Sequence, residues 1–128
     1  MKTKVAVLVS GGGTNLQTLI DYEKQNKDCP YHISVVLSNT KNAYALERAK
    51  LAGIRAEIRS PYSVMGKEAA EKADRDTKRE AVSDAMLEVC REEKADIIVL
   101  AGYLSVLKGK IFEAYSGKII NLHPALLP

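Results

Sequence analysis

Two short stretches carry the residue types that could do chemistry: SGGGTN at 10–15 and NLHP at 121–124. In the first, three glycines strip a turn of side chains just ahead of a helical pattern. Gly11, Gly12 and Gly13 can take positive φ and bring backbone N–H groups against a ligand. The first turn of the following helix adds unpaired N–H donors and the positive end of a dipole. Candidate phosphate donors are the N–H groups of Gly13, Thr14 and Asn15 and the Thr14 hydroxyl, with Gly12 lining the same seat. The same residues could equally make a tight strand-to-helix turn with no ligand. They are not a dinucleotide fingerprint, because Leu16 stands where the third glycine belongs, and no Gly-Lys-Ser/Thr follows to make a Walker loop.

In the second stretch, Asn121 and His123 are two residues apart on a strand end, so their side chains share one side. An amide donor beside an imidazole suits a developing oxyanion. Imidazole, with a reference pKa of about 6.5, can also move a proton near neutral pH. Pro124 ends the strand. A histidine at a strand end can also be a satisfied structural residue, so the pair alone leaves both readings open. The other histidine, His32, lies next to Pro30 and reads as surface loop.

The elements that must position these residues follow from apolar patterning. Continuous aliphatic runs predict buried strands at 4–9, 33–38, 96–101 and 118–122. At 54–59, Ile54, Ala56 and Ile58 alternate with Arg55, Glu57 and Arg59, which predicts a half-exposed edge strand. Apolar stripes at helical spacing predict helices at 14–25, 42–52, about 67–93 and 109–115. Thr14 with Gln17 resembles a capping box, and Gly53 closes the second helix. Strands alternating with helices imply an α/β fold: a Rossmann-like open parallel sheet, helices on both faces, strand order 3-2-1-4-5. In such a sheet ligands bind outside the carboxyl ends of the strands, where strand order reverses. That point lies between the first and fourth strands. The glycine loop, the loop Gly102–Leu107 and the Asn121 strand end all converge there. Residues 67–80 are highly charged and read as a solvated extension of the third long helix.

Composition limits the function classes. The chain has 128 residues, 46% hydrophobic and 27% charged, which suits one soluble domain over 1–128. A net charge of +3 fits small anionic substrates and is too weak to argue for nucleic acid. Cys29 and Cys90 stand in no CxxC or Cys/His cluster, so no metal site is expected. The apolar run VAVLV near the start is shorter than the roughly 7–15 residues of a signal-peptide core. No membrane span is expected, and a cytoplasmic location is.

SGGGTNLQTLID, SNTKNAYALERAKLAGI, LAGYL and NLHPALLP together resemble phosphoribosylglycinamide formyltransferase, the folate-dependent transferase family of purine biosynthesis. The resemblance runs from Val5 to Pro128. It implies that Gly12, Gly13, Thr14 and Asn15 hold the phosphate of glycinamide ribonucleotide. It implies a catalytic pair of Asn121 and His123. It also implies that Leu104, Ser105, Val106 and Leu107 receive the pterin of 10-formyltetrahydrofolate, mainly by backbone contacts and apolar walls, with Asn121 touching the same cofactor. Arg79 aligns with a basic residue at the folate site, and Ser105 stands where many relatives carry a basic residue. The implied reaction is attack of the glycinamide amine on the formyl carbon. Asn121 and protonated His123 would stabilise the oxyanion, without a metal or a covalent intermediate. Members of that family continue downstream and supply an aspartate to the histidine. A 128-residue chain is therefore expected to be poorly active or inactive, and a homodimer with a second copy is a further expectation. Two other readings stand beside it. A formyltetrahydrofolate hydrolase would have no phosphorylated acceptor to fill the seat. A non-catalytic phosphate-binding domain would keep the fold without the chemistry.

Overall fold

Val5 to Val9 are all buried, as expected of a strand covered on both faces. The computed structural model describes residues 2–41 and 43–122. Its strands are β1 (Thr3–Val9), β2 (Tyr31–Ser38), β3 (Arg55–Ile58), β4 (Ile97–Ala101) and β5 (Ile119–Leu122). All neighbours pair parallel, in the order β3-β2-β1-β4-β5. The polar strand is at the edge, where its alternation placed it.

Helices α1 (Thr14–Gln25) and α2 (Tyr44–Leu51) cover one face of the sheet, burying Leu16, Ile20, Ala45 and Ala49 against Val5, Val7 and Val9. On the other face α5 (Arg75–Glu92) and α6 (Ile111–Ala114) bury Met86, Leu87, Cys90 and Ile111 against Ala6, Leu8 and Ile98. Each fully buried side chain of this size contributes about 1.5–3 kcal/mol. Burial pushes the Cys90 thiol up to about 12, so it stays protonated at neutral pH. Among the described residues no helix is long and apolar enough to cross a membrane.

Four local expectations need correction. The helix expected at about 67–93 is two helices, α4 (Lys67–Lys72) and α5, separated at Ala73–Asp74. Asp74 leaves helical geometry and its carboxylate accepts from the Thr77 N–H at 2.7 Å, starting a new helix. In so charged a stretch the capping aspartate looked like one more surface charge. A short α3 (Pro61–Met65) precedes them, opened by reciprocal Ser60–Ser63 bonds of 3.1 and 2.8 Å and by Pro61 at its first position. Helix α1 has no Thr14 capping box: Gly13 is the cap residue and Thr14 already lies in the first turn. His32 is not loop but part of β2, where its Nδ1 meets Glu23 Oε2 at 2.6 Å. Burial opposes ionisation of Glu23, yet the bonds from His32 and the Ile33 N–H outweigh it and hold the carboxyl below its usual range.

The charged side of β3 is tied down as well. Arg55 donates to Glu93 at 2.8 Å, to Glu92 at 3.1 Å and to Glu57 at 3.3 Å, fastening the sheet edge to the end of α5.

Candidate active site at the carboxyl rim of the sheet

Ser10, the residue after β1, joins three loops at the carboxyl rim. Its hydroxyl donates to Asn39 Oδ1 at 2.5 Å and accepts from the Leu104 N–H at 2.8 Å. Its carbonyl accepts from the Thr40 hydroxyl at 2.6 Å, and its N–H donates to the Gly102 carbonyl at 3.2 Å. The loops after β1, β2 and β4 are thus held as one unit. The sequence held no sign of this beyond the position of a serine between a strand and three glycines, because every partner except the chain itself is distant.

The three glycines do different work. Gly13 sits at φ +80°, and a Cβ there would lie 2.6 Å from the Ala45 Cβ and 2.9 Å from its Cα. Only glycine fits, for conformation and for space. Gly11 and Gly12 are not at positive φ, contrary to what the sequence allowed, and an added Cβ would meet nothing within 4 Å. Their carbonyls point inward: Gly11 O accepts from the Ala45 N–H at 3.1 Å, and Gly13 O accepts from the Gln17 N–H at 2.8 Å. Arg48 Nε donates to Gly12 O at 2.7 Å. Among the described residues the N–H groups of Gly12, Gly13, Thr14 and Asn15 have no acceptor. They form a row of donors leading into the first turn of a 12-residue helix.

Asn121 lies on β5 opposite Leu100 of β4, one residue before the described chain ends, and is exposed. Strand alternation puts its side chain on the same side as Ile119, which packs against the α5 face. His123 lies outside the described residues. Strands β1 and β5 flank β4, so Asn121 lies two strand spacings, about 10 Å, from β1, the strand that leads into the glycine loop.

A third feature adjoins them. Arg79 and Ser105, paired only by resemblance, line one cleft of about 180 Å³ with Asn39, Arg75, Lys78 and Val82. Arg75 and Lys78 belong to the charged stretch 67–80, for which the sequence predicts a solvated face. Helix α5 turns them to the same side as Arg79, and among the described residues none of the three has an ion-pair partner. Asn39 belongs both to this cleft and to the Ser10 junction, so the cleft is continuous with the glycine loop. Beside it, Leu104 is 86% and Val106 49% exposed, so both present apolar surface next to the cleft. Leu107 differs from the expectation for its loop. It is buried in the α5-side core, so its side chain cannot wall the cleft. The loop is anchored there by the Lys108 N–H donating to the buried Ser83 hydroxyl at 2.9 Å. Burial pushes the Tyr103 phenol up to about 12, and it stays a neutral group against Met86.

The rim therefore combines a row of free backbone donors, a side-chain amide, and a cationic cleft with an apolar lip. Comparison with known proteins shows which family shares this sequence and fold. The family model described as formyl transferase matches residues 3–128. Phosphoribosylglycinamide formyltransferase of Haemophilus influenzae is 41% identical over 98% of this chain and 53% of its own length. The Saccharomyces cerevisiae protein of the same name is 39% identical over 96% of this chain and 59% of its own. The crystal structure of glycinamide ribonucleotide transformylase 1 from Symbiobacterium toebii superposes with a TM-score of 0.80 at 32% identity, over 99% of this chain and 54% of that one. The chain thus spans about half the length of these relatives. With a family model covering nearly every residue, and the same five-stranded order on which those relatives superpose, the chain belongs to the formyl transferase family.

Proposed function

We propose that the chain is the nucleotide-binding half of a phosphoribosylglycinamide formyltransferase, which moves a formyl group from 10-formyltetrahydrofolate to the amine of glycinamide ribonucleotide. One observation carries this most. Gly11 and Gly12 face open space, and neither needs glycine for its conformation. A turn without a ligand would tolerate side chains at both. Bareness there serves an incoming group, and the free N–H row fits a phosphate. This favours a phosphorylated acceptor over the hydrolase reading.

The donor fits the neighbouring cleft. Leu104 and Val106 offer apolar contact for a flat ring system. Arg75, Lys78 and Arg79 offer charge for the carboxylates of a folate. Asn121, at the carboxyl end of β5 on the same rim, is the amide assigned to the place where the amine would meet the formyl carbon. Its amide would donate to the oxyanion as the carbonyl becomes tetrahedral, and His123 would take part in the proton transfer. The buried, separate thiols suit a reducing cytosol.

Glycinamide ribonucleotide titrated into the ¹⁵N-labelled chain is expected to shift the amides of residues 11–15 first. Shifts confined to other parts of the molecule would remove the seat from that loop. The cleft has its own test. Arg79→Glu is expected to weaken folate binding by about 10- to 100-fold, with the loss shrinking as salt rises, because the cleft's charge is exposed and screened. Unchanged affinity in a fluorescence titration would move the donor elsewhere. For turnover, the chain is compared with the same chain extended by the downstream half of the Haemophilus influenzae relative. The extended form is expected to carry nearly all the activity.

A further inference from the structure

We infer that Arg48 is a positioning residue of the phosphate row, an inference that rests on the seat proposed above. In a trans peptide the carbonyl of one residue and the N–H of the next point in opposite directions. No peptide among the described residues is cis. Whatever holds the Gly12 carbonyl therefore sets the direction of the Gly13 N–H. Three inward carbonyl bonds orient three successive donors. Ala45 N–H on Gly11 O turns the Gly12 N–H outward, and Gln17 N–H on Gly13 O does the same for Thr14. Both of those anchors are backbone groups fixed by helices. The middle peptide alone depends on a side chain, Arg48 Nε at 2.7 Å from Gly12 O.

Arg48 is itself held for that task. Its Nη1 donates to Gln17 Oε1 at 3.2 Å, and its guanidinium lies 4.9 Å from the centre of the Tyr44 ring. Gln17 in turn donates to Asp21 at 2.9 Å, so the guanidinium plane is set from two sides. Its Cδ lies 3.4 Å from where a Gly13 Cβ would stand, directly under the loop. A cation here also places positive charge behind the row of donors, which favours an anion in front. Lysine would keep the charge, but its single ammonium cannot hold Gly12 O and Gln17 together in a plane.

The test is a titration of the ¹⁵N-labelled chain with inorganic phosphate at constant ionic strength, in wild type, Arg48→Lys and Arg48→Met. In wild type the amides of Gly12, Gly13 and Thr14 are expected to move together. In Arg48→Lys the Gly13 amide is expected to shift already without phosphate, and affinity to fall at least tenfold, with thermal unfolding little changed. Arg48→Met is expected to bind weaker still. Phosphate binding by Arg48→Lys within twofold of wild type, with an undisturbed Gly13 amide, would overturn the inference and leave the seat standing. Wild-type amides at 12–15 that ignore phosphate would take the seat and the inference down together. Should Arg48→Met unfold, Arg48→Lys, which keeps stem and charge, decides alone.

Discussion

Asn121→Ala, made in the extended protein, is expected to lower formyl transfer by about 100- to 1000-fold, equivalent to about 2.7–4 kcal/mol of barrier. The reasoning is geometric. Asn121 is exposed at the carboxyl end of β5, on the rim that also holds the glycine row two strands away. Among the described residues its side chain has no hydrogen-bond partner of its own. A donor aimed at an oxyanion helps the transition state more than the ground state. The loss should therefore fall on kcat, with the KM for glycinamide ribonucleotide moving severalfold at most. The same exposure predicts little effect on stability. A variant that lost stability and kept kcat would reassign Asn121 to structure. Steady-state kinetics with the folate held saturating separates the two outcomes.

Gly13→Ala is expected to damage both folding and phosphate binding, whereas Gly12→Ala damages binding alone. Alanine at φ +80° costs about 1–2 kcal/mol in conformation. Its Cβ would press on Ala45 at 2.6 Å, and Ala45 belongs to a packed helix that cannot retreat without disturbing the core. Overpacking of this kind adds about 1–3 kcal/mol. Together these amount to about 2–5 kcal/mol. That is a large share of the stability of a domain this size, typically about 5–15 kcal/mol. Gly12→Ala meets no atom within 4 Å and needs no positive φ. Its methyl group would stand instead in the space proposed for the phosphate. Urea unfolding of both variants beside a phosphate titration checks the contrast. A Gly12→Ala chain that binds phosphate as wild type would mean that the open space has no occupant.

The strand order was legible because it follows from local chemistry. Val5–Val9 and Ile97–Ala101 are apolar on both faces and must be central. Arg55 and Glu57 alternate with apolar neighbours and must lie at an edge. The helix ends were harder to read. Asp74 caps α5, but in a run of charges a cap and a solvated carboxylate look alike until the Thr77 N–H is seen to turn toward it. His32 looked isolated because its partner, Glu23, lies on a different element.

By itself, then, the sequence determined the five-stranded architecture and the stretches that reach its rim. Periodicity and strand ends are properties of adjacent residues. Only the tertiary structure decided what each rim residue does. It gave Gly13 a packing task and left Gly12 facing open space. It made Ser10 the junction of three loops, drew Arg75 and Lys78 beside Arg79, sent Leu107 into the core, and put Arg48 beneath the glycine turn. The physical reason is common to all of them. Each role is fixed by a neighbour supplied from another strand or helix, and contacts between elements leave no periodic trace along the chain.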